Sequence, residues 1–281
     1  MGFLIKMVAY LGKLENFKEN TIYVNPSSDK NGKVVMLFGE DTFELPLFDE
    51  EAIQERLGSI SDQFTLDITD LDLTVWAPIV RALVLGKLKT NVIYHAPSEY
   101  WDVFPIDRDF GGINTEISTK IEPIQGFTPV FSSDQPQIFV PILGFQGNRA
   151  LYLYNAIEPR SADIYPIISL RGLKPTHYQD ALISNRVFLL KDAIYRRVKH
   201  IYVFGYKETV NFLQELAQKF PEHKIRIGLL GPRIQCLGAI VCASRNPDKF
   251  ELIYDHPKPY APVLPLKRIK VEVSHAEINE N

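Results

Sequence analysis

The stretch IRIGLLGPRIQCLGAIVCASRNPDKFELIY, residues 225–254, decides the fold. It opens with an apolar run rich in isoleucine and leucine (225–230) and turns at Gly231-Pro232-Arg233. A helix-length segment (233–245) follows, then a second apolar run (250–255). Strands this uniformly apolar are those covered on both faces, so strand, loop, helix and strand in this order read as a parallel βαβ unit. FTLDITDLDLTVWAPIVRALVLGKLKTNVIY (64–94) follows the same plan over 31 residues against 30. Both units end in the pattern I-Y-x-x-P-x-x-Y, as IYHAPSEY (93–100) and IYDHPKPY (253–260). Duplication and repeated use of one supersecondary unit both account for that likeness.

Working outward, further strand candidates are QIFVPIL (137–143), DIYPIIS (163–169) and HIYVFG (200–205). Helix candidates lie at 73–87, 147–157, 176–192 and 207–219. In the last, Val210, Leu213, Leu216 and Ala217 recur at helical spacing. In the first, Pro78 is expected to start the helix proper near Ala77, because proline lacks the N–H that a helix interior uses. The alternation predicts an α/β fold: a doubly wound, mainly parallel, Rossmann-like sheet with right-handed crossovers.

Residues 20–48 interrupt the rhythm with turn signals at Asp29–Gly32 and Gly39–Asp41, which predicts a strand followed by a β-hairpin on the sheet edge. Residues 98–136 form a long insertion with a Gly111-Gly112 pair and several aromatics: Tyr100, Trp101, Phe104, Phe110, Phe127 and Phe131. Connections of this length in a compact domain commonly carry function. The expected organisation is an N-terminal β-rich segment (1–62), a Rossmann-like domain (63–265) and a C-terminal strand and tail (266–281) that includes RIKVEVSHA.

A net charge of −3 provides no global field for duplex nucleic acid or an anionic membrane. In the opening MGFLIKMVAYLGKL, Lys6 interrupts the apolar run and no small-residue cleavage site follows, so a strand or helix is expected rather than a signal peptide. The two cysteines, Cys236 and Cys242, lie six apart in one helix, too far round it to face each other. They are expected as buried small residues of a cytoplasmic protein.

Ligands of open parallel sheets bind outside the carboxyl ends of the strands. Four successive strand-to-helix loops there carry a glycine and a basic residue: Gly144, Gly147 and Arg149; Arg171, beside Gly172 and Lys174; Gly205 and Lys207; Gly231 and Arg233. Glycine permits a tight turn, a helix N-terminus offers free N–H groups, and a cation adds a charge-assisted bond. Together these residues predict a site for a phosphate-bearing ligand or a nucleotide. They match neither G-x-G-x-x-G nor G-x-x-x-x-G-K-[ST].

The loop of the 64–94 unit is acidic instead, with Asp67, Asp70 and Asp72. These are candidates for a catalytic base, a ribose contact or a water-assisted Mg²⁺ site, and Thr69, Asp70 or Asp72 also suits a helix N-cap. No H-E-x-x-H, G-x-S-x-G or other metal or triad spacing is present. Of the six histidines, His95 and His256 fall near the ends of the repeated strands.

The stretch IGLLGPRIQCLGAIVCA (227–243), followed by LIYD, resembles the CRISPR-associated Rossmann-fold (CARF) sensor family. Gly231 and Arg233 stand where that family has its glycine and lysine, and Leu237-Gly238-Ala239 where it has its small-residue helix start. Pro232 replaces the family's threonine and removes a hydroxyl. The chain also resembles bacterial defence-associated proteins with a W-A-P-x-x-R-A helix (Trp76 to Ala82) and a P-[IL]-x-G-F-x-G-x-R loop (Pro141 to Arg149). The resemblance implies a homo-oligomer binding a cyclic or linear oligonucleotide over the strand ends. No effector domain or D-x-n-E-x-K pattern accompanies it, which suggests a sensor or accessory subunit working with an effector protein in antiviral defence. Two alternatives stand beside it. One is an enzyme acting on a nucleotide or phosphorylated small molecule; the other is a structural subunit that docks a partner through residues 98–136.

Overall fold

The structure, a computed structural model, describes residues 4–10, 18–29, 31–97, 106–107, 112–113, 120–129, 135–172, 174–257 and 268–279. The aromatics Tyr100, Trp101, Phe104, Phe110 and Phe131, and Tyr260 of the second repeat, lie outside these residues. Phe127 is buried, and its carbonyl accepts the Leu252 N–H at 3.3 Å. The chain divides into two compact units: Met1–Ala96 with Ile124–Gly126 and Ile269–Asn281, and Pro97–Pro123 with Phe127–Arg268. The fold is mixed α/β with two mostly parallel sheets, so strands expected in one sheet are shared between two.

The first unit is built on strands β1 (Leu4–Ala9), β2 (Thr21–Val24), β3 (Lys33–Phe38), β4 (Asp41–Pro46), β5 (Gln63–Asp67) and β6 (Lys89–Pro97). Helices α1 (Glu50–Ile60) and α2 (Leu73–Leu85) connect them. β1 runs parallel to both β2 and β5, and β5 runs parallel to β6 across the α2 crossover. β2, β3 and β4 form an antiparallel meander, which gives the expected strand and hairpin.

α1 and α2 each begin on an aspartate. Asp49 accepts the Ala52 N–H at 3.0 Å, and Asp72 accepts the Thr74 N–H at 2.8 Å, each satisfying a donor the helix leaves open. The Asp72 cap starts α2 at Leu73, ahead of the start near Ala77 that Pro78 suggested. α2 tolerates Pro78 within it, buried among Val75, Trp76, Ile79 and Leu83.

Two short strands, β7 (Ile106–Asp107) and β8 (Gly112–Ile113), pair with each other in the second unit, and β9 (Glu122–Pro123) joins its main sheet. The main chain path then alternates: β10 (Gln137–Leu143), α3 (Gly147–Ile157), β11 (Ile167–Leu170), α4 (His177–Ser184), α5 (Arg186–Leu190) and a 3-10 turn (Lys191–Arg197). β12 (Lys199–Tyr202), α6 (Tyr206–Lys219), β13 (Lys224–Leu229), α7 (Arg233–Arg245) and β14 (Phe250–Tyr254) complete it. The helix expected over 176–192 breaks at Asn185, whose side-chain amide donates to the carbonyls of Gly144 and Ala181 at 2.8 Å each. A final strand β15 (Arg268–Val273) lies beside β6 in the first sheet, and helix α8 (His275–Asn279) follows it.

The second sheet runs β12-β11-β10-β13-β14-β9, and all pairs from β12 to β14 are parallel. Chain order therefore proceeds one way from β10 to β12, then reverses at the β10–β13 pair. The helices fall into two packed groups, α3 with α4 and α5, and α6 with α7. α7 is buried from Ile234 through Ser244, as expected of a helix apolar on every side. A Cβ on Gly238 would stand 2.9 Å from the Tyr206 carbonyl oxygen, so this glycine lets α6 and α7 approach backbone to side.

Candidate functional site

The four basic loops leave adjacent parallel strands of one sheet, at the carboxyl ends of β12, β11, β10 and β13. The structure thus brings Gly144, Gly147, Arg149, Arg171, Gly205, Lys207, Gly231 and Arg233 to one edge. Asp67, Asp70 and Asp72 belong to the first unit.

The β10 and β13 loops meet where the strand order reverses. A Cβ on Gly144 would lie 2.6 Å from the Leu230 carbonyl oxygen, and one on Gly231 would lie 2.6 Å from Ile142 Cγ2 and 3.0 Å from its carbonyl oxygen. Each loop occupies the space beside the other's glycine. Gly147 is tighter still, with a Cβ placed 1.7 Å from the Ser184 carbonyl oxygen. These glycines are required by the packing of loops and helices.

Arg149 points inward. Its guanidinium makes a two-point ion pair with Asp255, Nε to Oδ2 at 2.6 Å and Nη2 to Oδ1 at 2.5 Å, and Nη1 donates to Gln146 Oε1 at 2.6 Å. The Asp255 side chain is 0 % exposed and that of Arg149 9 %. Burial by itself would lower the Arg149 pKa. The hydrogen bonds and charge of Asp255, with a smaller contribution from Tyr254, outweigh it and hold the pKa above its ordinary value. Arg149 joins the start of α3 to the end of β14, and its guanidinium stands 5.6 Å from the Tyr254 ring centroid.

The remaining cations sit nearer solvent: Arg171 and Lys207 are exposed and Arg233 is half-buried. Arg171 takes a left-handed backbone, φ +65°, unusual for a residue with a Cβ. Helices α3, α4, α6 and α7 all begin without a side-chain cap, with Gln146, Thr176, Gly205 and Pro232 at their N-cap positions. In the first unit both corresponding helices are capped by aspartate. The carboxyl edge of the second sheet therefore combines uncapped helix starts, which carry partial positive charge, with Arg171, Lys207 and Arg233.

At the opposite edge lies a cleft of ≈ 410 Å³ lined by Gln137, Ile157, Arg160, Asp163 and Arg226 among others. Its two arginines are paired, Arg160 with Asp163 at 2.7 Å and Arg226 with Glu251 at 2.5 Å.

Comparison with protein families, curated proteins and solved structures finds no match.

Asp72 acts as the α2 cap. Asp67 has a different setting: its Oδ1 accepts the Thr69 hydroxyl at 2.5 Å and the Thr69 N–H at 3.0 Å. The Thr69 oxygen in turn accepts the His95 backbone N–H at 2.8 Å, and His95 Nδ1 lies 3.4 Å from Asp67 Oδ2. Asp67, Thr69 and His95 thus form one cluster at the carboxyl ends of β5 and β6. The parallel register Asp67↔Ile93 brings this about: His95, two residues further along β6, lies on the same face of the sheet as Ile93. Trp76 is fully buried in the core. Among the described residues no group of three or more His, Cys, Asp or Glu is placed to hold a metal.

Three further histidines make contacts within the second unit. His177 meets Phe145 edge to face at 5.3 Å, His200 bonds the Tyr178 hydroxyl at 2.9 Å, and His256 sits beside Tyr254 with φ +43°. Cys236 and Cys242 are buried and unbridged, and burial pushes both thiols up to about 12.

Proposed function

We propose that the second unit is a Rossmann-like, doubly wound binding module that takes a phosphate-bearing ligand, a nucleotide or short oligonucleotide, at the carboxyl edge of its sheet. The observation that carries this reading is the set of four uncapped helix starts on adjacent strands, two of them flanking the reversal of strand order. Such a reversal is where open α/β sheets bind ligands, and an uncapped helix start leaves its N–H donors for an anion. The two groups of packed helices support double winding. Arg171, Lys207 and Arg233 are the contact residues, and Arg149 holds the edge together from beneath.

The chain acts in this reading as a sensor or accessory subunit alongside an effector protein, in the antiviral setting that the CARF resemblance implies. Calorimetry against mononucleotides and short linear and cyclic oligonucleotides tests it. Binding to the wild-type chain that weakens about tenfold or more in Arg233→Ala and Lys207→Ala is expected, since a charge-assisted bond contributes about 1.5–3 kcal/mol. No binding across the panel contradicts it.

One observation favours a second reading. In the Asp67–Thr69–His95 cluster His95 Nδ1 meets Thr69 Oγ1 at 3.3 Å and Asp67 Oδ2 at 3.4 Å, which orients the ring and leaves Nε2 for proton exchange, as in a general base. That arrangement suits an enzyme acting on a nucleotide or phosphorylated small molecule. Turnover lost in His95→Gln and in Asp67→Asn, with the fold retained, would favour it over a binding module.

A further inference from the structure

Helix α5 has the sequence RVFLL, apolar at every position after Arg186, yet it lies on the surface. Phe188 and Leu189 are buried inward, along with Ile194 of the following turn. The outer side is apolar too: Ile183 is 52 % exposed, Val187 59 %, Leu190 69 % and Tyr195 50 %. Residues 183, 187 and 190 follow i, i+4, i+7 spacing, and helical hydrogen bonds bridge the break between α4 and α5: the Asn185 N–H donates to the Ala181 carbonyl, and the Asn185 carbonyl accepts the Leu189 N–H. A helix apolar all round is normally covered, so this stripe marks a contact surface.

The charge around the stripe says what covers it. Between Ile183 and Lys199 the chain has five cations, Arg186, Lys191, Arg196, Arg197 and Lys199, and a single acid, Asp192. The whole chain is nevertheless at −3. Several of these cations are held against their own unit. Arg186 Nη1 donates to the Ile183 carbonyl at 3.3 Å, Arg197 Nε donates to the Ile164 carbonyl at 3.0 Å, and Lys191 Nζ lies 4.6 Å from the Tyr154 ring centroid. The turn that carries them is fixed by two consecutive left-handed residues, Asp192 (φ +48°) and Ala193 (φ +54°). Non-glycine residues hold that conformation only where the surroundings enforce it.

We infer that the outer face of α4, α5 and the following turn docks an acidic, amphipathic segment of a partner protein, its apolar side on Ile183, Val187 and Leu190 and its carboxylates on the exposed Arg186, Lys191 and Arg196. An interface with an apolar centre and a fixed, arginine-bearing rim has this composition. Exposed aliphatics gain nothing from a phosphate backbone, which sets RNA aside. A bilayer is met by long cations that extend freely to headgroups, whereas several here are drawn back onto the unit. A second copy across a two-fold axis would set like charges face to face. The inference stands independently of the ligand site on the sheet edge.

The test selects a random helical-peptide display library on the full chain, then measures the winning peptides against wild type and Val187→Ser/Leu190→Ser. Both positions are exposed, and circular dichroism checks that the variant folds. Selected peptides are expected to repeat apolar residues at i, i+4, i+7, to carry an excess of Asp and Glu, and to bind the variant at least ~10-fold more weakly. The inference is overturned if the winners lack acids or bind both proteins equally. It is also overturned if the double substitution instead abolishes self-association, retention on 30 % phosphatidylserine vesicles, or binding of a 20-nucleotide RNA.

Discussion

Arg149 and Asp255, 106 residues apart, meet as a buried two-point ion pair that ties the first turn of α3 to the residue that follows β14. This contact decides what Arg149 does. Its neighbours in the loop suggested a ligand contact, and its geometry makes it a brace under the edge where the ligand is proposed to sit.

Removing one partner of such a pair leaves a buried charge without compensation, which costs about 3–5 kcal/mol. Asp255→Ala is expected to lose that much in urea unfolding. Arg149→Met/Asp255→Leu, which removes both charges, is expected to lose much less. Equal losses in the two proteins would mean that packing, rather than charge, is what the pair supplies.

Gly147 predicts a second loss of stability. With a Cβ placed 1.7 Å from the Ser184 carbonyl oxygen, Gly147→Ala forces α3 away from the α4–α5 junction. A cost of about 3 kcal/mol, the upper part of the range for overpacking, is expected in thermal or urea unfolding. Wild-type stability in this variant would show that α3 adjusts freely.

His177 makes acid the weak side of the second unit. Burial lowers its pKa, with Lys174 adding to that effect and Asp180 opposing it, and the ring nitrogen Nδ1 accepts the Lys174 N–H at 3.4 Å. A histidine kept neutral in the fold takes up its proton more readily when unfolded. Its contribution is therefore nil above the ordinary histidine pKa of about 6.5, and stability falls as pH drops below it. The drop in melting temperature between pH 7 and pH 5 should be smaller in His177→Gln than in wild type. An identical drop in both would contradict the assignment.

The cysteines give a chemical test of the α7 core. With both thiols buried and pushed up to about 12, neither offers a thiolate near neutral pH. Ellman's reagent is expected to find almost no reactive thiol in the native chain and both after guanidinium is added. A fast-reacting thiol in the native protein would show that α7 is more open than described.

The local units were legible in the sequence, and the long-range relations were not. β13–α7–β14 shows its boundaries because its strands are mainly apolar and Gly231-Pro232 punctuates the turn; α3 and α7 begin and end as their patterns indicate. What hides from such reading is which strand pairs with which. Nothing in QIFVPIL names β13 as its neighbour, and nothing in FTLDIT assigns it to a sheet with β1. Pro78 misled because a strong Asp72 cap and a buried flank outweigh one missing donor. Arg149 looked like its fellow loop cations because its partner lies on a strand end far along the chain. His95 was visible only as a residue near a strand end; the register of β5 with β6 brings it to Asp67.

The central claim, a phosphate-bearing ligand at the carboxyl edge of the second sheet, is tested most directly by amide chemical shifts of the isotope-labelled chain titrated with the tightest-binding nucleotide of the panel. The account predicts shifts concentrated at the starts of α3 and α7, Gly147–Arg149 and Arg233–Gln235, with Arg171 and Lys207 following. Shifts confined instead to the opposite edge, around Gln137, Arg160 and Arg226, would contradict it.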